Sequence, residues 1–256
     1  MAGGMRWIIC GMLLAVAACA GGPPDAGGPV PRDLTRPLLD AATQAMARGD
    51  AVTAATYFRS VHAREPDNAQ ATLGLIESLR VSGGLAEART VAEKALAAKP
   101  DDPALLAAAG KVWLALGDAH TAVPLLEKAA AADPRDWRTR SALGIAYDRL
   151  GAWKKADRSY RAALAIAPEN ATVLNNFALS RAMAGNFAAA RALAQRAVAA
   201  AGADLRVKQN LALIDALSGK MKEAETLTRR DLPPAVAGAT IDYYRTLAAA
   251  PVPEHR

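Results

Sequence analysis

Apolar and polar residues do not alternate along this chain as they would in a half-buried strand, and the pattern favours helices throughout. Within it, one alanine returns every thirty-four residues, at Ala54, Ala88, Ala122, Ala156, Ala190 and Ala224. A glycine keeps the same period, at Gly49, Gly83, Gly117, Gly151, Gly185 and Gly219. A proline does so at Pro66, Pro100, Pro134 and Pro168. A fixed period of this length is typical of a solenoid of stacked helix-turn-helix units.

Each recurring position has a physical role in such a unit. Gly151 ends a first helix, because a left-handed backbone costs little only for glycine. Ala156 lies where the two antiparallel helices of a unit approach closely, and a larger side chain there would push them apart. Pro168 ends the second helix. After each unit an Asp or Asn is the predicted N-cap of the next helix, at Asn68, Asp102, Asp136, Asn170 and Asp204.

The register divides the chain into about six units, at residues 35–68, 69–102, 103–136, 137–170, 171–204 and 205–238. First helices also pair a glycine with an aromatic residue, as in Gly110 with Trp113 and Gly144 with Tyr147. These features resemble the tetratricopeptide repeat (TPR) consensus. The resemblance implies an all-α fold, a right-handed TPR superhelix over residues 35–238.

The segment after the sixth unit is predicted to close the solenoid. Pro233 and Pro234 stop a helix. Four apolar residues can then share one face of a final helix, namely Val236, Ile241, Tyr244 and Leu247. We expect a capping helix and tail over residues 239–256.

The first eighteen residues have the pattern of an export signal. Arg6 precedes a twelve-residue apolar run from Trp7 to Ala18, shorter than the roughly 20 residues of a membrane-spanning helix. The run ends in VAAC, which resembles the bacterial lipobox and implies cleavage after Ala18 and lipidation of Cys19. The alternative is an ordinary secretory signal cleaved near the same alanines, with Cys19 incidental.

Cysteine use agrees with a lipoprotein signal peptide over residues 1–18. Cys10 would leave with the signal, and Cys19 alone cannot form an internal disulfide. Residues 19–34 are predicted to be the lipidated cysteine and a flexible tether, because their Gly- and Pro-rich sequence cannot form a core.

Composition and motifs give no indication of catalysis. Lys and Arg number 31 and Asp and Glu 25, so the net charge of +6 is mild. It could favour anionic lipid head groups or an acidic partner, whereas nucleic acid is not expected. His62, His120 and His255 are isolated, and the chain lacks a phosphate-binding glycine loop, an HExxH motif or a nucleophile elbow. We expect no enzyme activity, no catalytic residues, and no metal, cofactor or small-molecule substrate.

The TPR resemblance places ligand binding on the concave face, which the first helix of each unit builds. The candidate groove residues are Arg138, Ser141, Thr172, Asn175, Asn176, Arg206, Gln209 and Asn210. Asn176 and Asn210 are thirty-four residues apart, and the TPR family uses an asparagine at this position to bind the backbone of an extended peptide. The alternative is that these amides are surface residues or bond to one another. The basic set that clamps a peptide carboxylate in chaperone-binding TPR proteins is incomplete in this sequence.

A narrower resemblance lies in residues 207–247, where the run RRDLPP precedes a Tyr–Arg helix. This region is similar to the C-terminal end of TadD, the TPR lipoprotein family of the Flp or tight-adherence (Tad) pilus system. The resemblance implies a protein partner, the outer-membrane secretin or another pilus-assembly component, bound in a pilotin-like way. Ala20 after Cys19 implies anchoring in the inner leaflet of the outer membrane, facing the periplasm. The alternative function is a general envelope TPR adaptor for peptidoglycan or outer-membrane assembly machinery.

Overall fold

The computed structural model describes residues 34–249, and within this range the chain forms thirteen α-helices and no strand. In chain order they are α1 (Thr35–Ala47), α2 (Ala51–Arg64), α3 (Ala69–Ser82), α4 (Leu85–Ala98), α5 (Pro103–Ala115), α6 (Ala119–Ala132), α7 (Trp137–Arg149), α8 (Trp153–Ile166), α9 (Ala171–Met183), α10 (Phe187–Ala199), α11 (Leu205–Leu217), α12 (Met221–Asp231) and α13 (Pro234–Ala249). The predicted all-α superhelix of six helix-turn-helix units is confirmed.

The packing of these helices defines an inner and an outer face. Every helix packs on its neighbours in the chain, and each odd-numbered helix also packs on the next odd-numbered helix. The even-numbered helices of the described chain do not pack on one another. The first helices are therefore closer together, so that they form the concave face of the solenoid and the second helices form the convex face.

The recurring alanines lie at the closest approach of helices, as predicted. All six alanines from Ala54 to Ala224 are 0% exposed. Larger side chains fill the space between units, and Tyr160 of α8 stacks on Phe177 of α9 with ring centroids 5.3 Å apart. Tyr160 and Phe177 are both buried, so they belong to the core between these units.

The turn and cap predictions are also confirmed. The six periodic glycines have positive φ, as at Gly151 with φ of 67°. All five predicted N-caps accept a hydrogen bond from a backbone N–H of the following helix. Three further caps begin second helices, since Asp50, Asp118 and Asn186 accept from the backbone N–H three residues later.

The last helix differs from the prediction at its start. α12 ends at Asp231, and α13 begins at Pro234, before the predicted start at residue 239. Proline is favourable in the first turn of a helix because the N–H it lacks has no partner there. The face that α13 buries consists of Ala237, Ile241 and Tyr244, whereas Val236 is 51% exposed.

α13 takes the position that the first helix of a seventh unit would occupy. It packs on α11 and α12, and the Tyr244 hydroxyl donates a hydrogen bond of 3.1 Å to the backbone carbonyl of Gln209. α13 thus bounds the concave groove at its C-terminal end.

Among the helices described, none is both long and apolar enough to span a membrane. The predicted signal peptide and Cys19 lie outside the described residues.

Candidate binding groove

A cavity of about 410 Å³ opens on the concave face, where the first helices of units two to five meet. Its lining comes entirely from α3, α5, α7 and α9. The lining residues are Glu77, Arg80, Lys111, Leu114, Ala115, Trp137, Arg138, Ser141, Ala142, Ile145, Arg149 and Thr172. We call this cavity the basic pocket, because four of these side chains are cationic and one is anionic.

The single carboxylate of the basic pocket is already neutralised. Both carboxylate oxygens of Glu77 accept hydrogen bonds from the Arg80 guanidinium, at 2.8 and 2.6 Å. This pair lies three residues apart on α3, where side chains are neighbours on one helix face. Within residues 34–249, the other three cations of the pocket, Lys111, Arg138 and Arg149, form no ion pair.

Lys111 is a half-buried cation of the basic pocket and, unlike the half-buried Arg80, it has no ion pair among the described residues. Burial lowers the pKa of its ammonium group, and this cause outweighs the attraction of Asp136 and Glu77. The positive charges of Arg80 and Arg138 lower the pKa of Lys111 further. A cation that is partly desolvated and has cationic neighbours is an electrostatically costly arrangement, and such groups concentrate at functional sites.

The two arginines of α7 extend the positive charge along the groove. The Arg138 guanidinium lies over the ring of Trp137, 4.5 Å from its centroid, which holds the exposed side chain at the pocket. Arg149 is exposed at the other end of α7, where the helix meets the turn. Between them, Leu114 and Ile145 give the pocket an apolar floor.

Beyond the basic pocket, the groove continues over α9 and α11 with amide side chains. Asn175 is 1% exposed, and its Oδ1 accepts a hydrogen bond of 2.8 Å from Nδ2 of Asn210. The Nδ2 atom of Asn175 is buried without a hydrogen-bond partner among the described residues. The contact observed for Asn175 is thus a hydrogen bond between α9 and α11. Direct contact of Asn175 with a ligand stays a prediction.

The remaining amides and apolar residues of this half are accessible. Asn176 on α9 and Gln209 on α11 are half-buried. Met183 is 50% exposed at the end of α9, and Leu213 is half-buried on α11. We call this surface the amide half of the groove.

The structure places seven of the eight predicted groove residues in these two regions. Arg138, Ser141 and Thr172 line the basic pocket, although Ser141 is 5% exposed. Asn175, Asn176, Gln209 and Asn210 belong to the amide half. Arg206 lies in the first turn of α11, where its side chain is exposed and 3.7 Å from the Asp204 carboxylate. Ligand binding by all eight stays a prediction.

Lys111 is not among the eight predicted groove residues. Lys111 occupies the ninth position of the third unit, as the pocket residue Ile145 does in the fourth. Selecting the equivalent positions of units two and three, and not only those of units four to six, would have identified it. Glu77 has the same position in the second unit, and Arg80 follows three residues later.

A buried polar network supports α7 behind the pocket. Asp148 accepts hydrogen bonds from the hydroxyls of Tyr160 and Ser180, at 2.8 and 2.7 Å. Burial raises the pKa of Asp148, although both hydrogen bonds and Arg181 act in the opposite direction. The network joins α7, α8 and α9 and so fixes the helix that carries Arg138 and Arg149.

In the described part of the chain, no group of three or more His, Cys, Asp or Glu could hold a metal ion.

A family model described as "Tetratricopeptide repeat" matches residues 45–112 and 114–176. A comparison with curated proteins finds no match. Among solved structures, the chain is similar to a thermophilic TPR protein from Thermus thermophilus, with 21% identity, a TM-score of 0.65, and coverage of 70% of this chain and 98% of that one.

Two other solved structures have a similar fold. One is a tetratricopeptide repeat protein from Parabacteroides merdae, with 17% identity, a TM-score of 0.62, and coverage of 84% of this chain and 87% of that one. The other is in the APC/C hetero-tetramer Cut9–Hcn1, with 17% identity, a TM-score of 0.65, and coverage of 82% of this chain and 43% of that one. At these identities the likeness concerns the fold alone.

Proposed function

Because the chain belongs to the tetratricopeptide repeat family, we propose that it is a non-enzymatic scaffold that binds an extended segment of a protein partner in its concave groove. The observation that carries this proposal is the basic pocket, a cavity of about 410 Å³ built by four successive first helices. It has an apolar floor, convergent polar groups and a half-buried cation of lowered pKa. Cavities with these features are the default candidates for binding sites.

The shape of the groove favours an extended chain over a small molecule. The basic pocket spans residues from Glu77 to Thr172, and the amide half continues the same surface to Leu213. A segment of several residues can contact each first helix in turn, and the amides can bond to its regularly spaced backbone groups. The scaffold contributes a preformed surface, so that little conformational entropy is lost on the receptor side.

We further propose that this scaffold is a lipoprotein that assists Flp/Tad pilus assembly. The support is in the sequence: the resemblance of residues 207–247 to TadD, the lipobox, and Cys19 at its end. In this proposal, the lipid on Cys19 anchors the chain in the inner leaflet of the outer membrane, and the groove binds the secretin or another pilus component in the periplasm. A general envelope adaptor for peptidoglycan or outer-membrane assembly is the second candidate.

The test is purification of the full-length protein from detergent-solubilised membranes of its own host, with the bound proteins identified by mass spectrometry. A secretin or another pilus component in the eluate supports the proposal. Peptidoglycan enzymes or outer-membrane assembly proteins in its place favour the second candidate and exclude the pilus role.

A matched pair of variants connects the partner to the groove. Thr172→Trp places a large ring at the exposed rim of the basic pocket, whereas Thr90→Trp makes the same change on the exposed face of the outer helix α4. The partner should be lost from Thr172→Trp and retained by Thr90→Trp. Equal recovery with both variants would show that the partner binds elsewhere on the solenoid.

A further inference from the structure

We propose that the segment bound in the groove has two chemically different parts: carboxylate groups that contact Lys111, Arg138 and Arg149, and apolar side chains that lie over the amide half. This inference rests on the proposed function and specifies the ligand of that same groove. The acidic part of the ligand lies at units three and four, and its apolar part lies at units five and six.

The first argument is the charge left unpaired in the basic pocket. Glu77 is held by Arg80 in two hydrogen bonds, and the attraction that Asp136 and Glu77 exert on Lys111 does not offset the effect of its burial. Lys111, Arg138 and Arg149 share one cavity and form no ion pair within the part of the chain that the structure describes. Like charges that share a partly desolvated cavity repel one another, and an anion placed among them removes that repulsion.

The second argument is the form of the cations. A guanidinium presents its donors in a plane that matches the two oxygens of a carboxylate, whereas an ammonium group acts as a point charge. Arg138 and Arg149 stand at the two ends of α7, with Lys111 on the neighbouring helix α5. Because α7 rises about 1.5 Å per residue, eleven residues separate the two arginines by roughly 16 Å. The two arginines therefore begin from opposite ends of the pocket, and a ligand with two carboxylates can pair with each of them separately.

The third argument is the change of chemistry along the groove. In the amide half, Met183 is 50% exposed and Leu213 is half-buried, and both lie on first helices. Arg206, the cation among the predicted groove residues of α11, lies 3.7 Å from the Asp204 carboxylate. This half therefore fits apolar side chains with backbone amides between them, whereas the basic pocket fits acidic ones.

The test compares charge reversal inside and outside the groove in the full chain. Lys111→Glu reverses the half-buried cation, and Lys154→Glu makes the same change on the exposed face of α8. The probe is a fluorescent peptide, acetylated and amidated, with two glutamates followed by four leucine and alanine residues. A second peptide has glutamines in place of the glutamates. Binding is measured by fluorescence anisotropy at low salt and at high salt.

The acidic peptide should bind the parent protein more tightly than the glutamine peptide, and Lys111→Glu should weaken it by about tenfold or more while Lys154→Glu should not. Salt should weaken the binding of the acidic peptide selectively. Arg138→Glu, at an exposed position, is the second variant if Lys111→Glu is not helical by circular dichroism.

Equal affinity for the two peptides would overturn the inference. It would also be overturned if the partner purified from membranes is lost with Thr172→Trp but retained at full yield with both Lys111→Glu and Arg138→Glu. That second result would leave the groove as the binding site, and so would separate failure of the charge inference from failure of the proposed function.

Discussion

The ring of Tyr160 lies so close to Gly144 that a Cβ atom added at position 144 would come within 2.7 Å of it. The same relationship occurs one unit earlier, where Leu126 would lie 2.6 Å from a Cβ atom at Gly110. In both units, a large side chain of the second helix fills the space that glycine leaves on the first. Glycine in a helix costs up to about 1 kcal/mol, and this close packing offsets that cost.

Gly144→Ala should therefore destabilise the protein, although alanine is the better helix former. The Tyr160 ring is 1% exposed and its hydroxyl is bound to Asp148, so it cannot move aside easily. Overpacking of this kind costs about 1–3 kcal/mol, more than the helix propensity returns. The free energy of unfolding from urea titration should fall by up to about 2 kcal/mol, which is the overpacking cost less the gain in helix propensity.

Gly238 in α13 provides the matched control, because an added Cβ there would meet no atom within 4 Å. Gly238→Ala should stabilise the protein by up to about 1 kcal/mol. The two substitutions should thus have opposite signs, and a stabilising Gly144→Ala would contradict the packing described here.

Ala156→Leu should destabilise the protein because Ala156 is 0% exposed at the crossing of two helices. Three additional carbon atoms there force the helices apart, at a cost of about 1–3 kcal/mol. Ala165→Leu, on an exposed position of the same helix, is the control and should leave the melting temperature nearly unchanged. Identical melting curves for the two variants would mean that the repeat register is wrong.

Much of this fold could be predicted because each of the six repeat units needs the same type of residue at the same position. The buried alanines, the left-handed glycines and the Asp and Asn caps each depend on local geometry, so a thirty-four-residue period is enough to find them. Pro234 shows the limit of that reasoning. Proline ends a helix when it follows one and begins a helix when it stands in the first turn. The predicted start at residue 239 takes account of only the first effect.

The basic pocket could be predicted only in part, because it depends on how four units curve around one cavity. Lys111 and Arg138 are twenty-seven residues apart and belong to different units, so their proximity is a property of the superhelix. The contact between Asn175 and Asn210 spans thirty-five residues, one more than the repeat. Equivalent positions of successive units therefore need not be the ones that touch, and spacing alone pointed to Asn176 with Asn210.

Asp148→Asn should remove a contribution of Asp148 to stability that depends on pH. Burial raises the pKa of Asp148 above its ordinary value of 3.8, so the folded state holds the proton more tightly than the unfolded state does. The resulting stability is fully present below the ordinary pKa and is lost as the pH rises through the raised pKa. An asparagine can still bond to Tyr160 and Ser180 but does not titrate.

This effect is measured by urea unfolding of the parent and of Asp148→Asn at several pH values between about pH 4 and pH 7. The contributions of acidic groups common to both proteins cancel in the difference between their free energies of unfolding. The stability of the parent relative to the variant should fall as the pH rises from the acid end and then become constant. A difference that rises with pH would show that the hydrogen bonds and Arg181 outweigh burial.

Cys19→Ser should release the protein from the membrane if Cys19 carries the lipid anchor. Several acyl chains hold a protein at a bilayer essentially permanently, because each buried CH₂ group contributes about 0.8 kcal/mol, whereas a serine offers no thiol for attachment. The parent should incorporate labelled palmitate and sediment with membranes, and the variant should do neither. Cys10→Ser, within the predicted signal peptide, should behave as the parent because that residue would be removed by cleavage. Membrane retention of Cys19→Ser would exclude the lipoprotein assignment and would require the basic residues of the solenoid, or a protein partner, to hold it there.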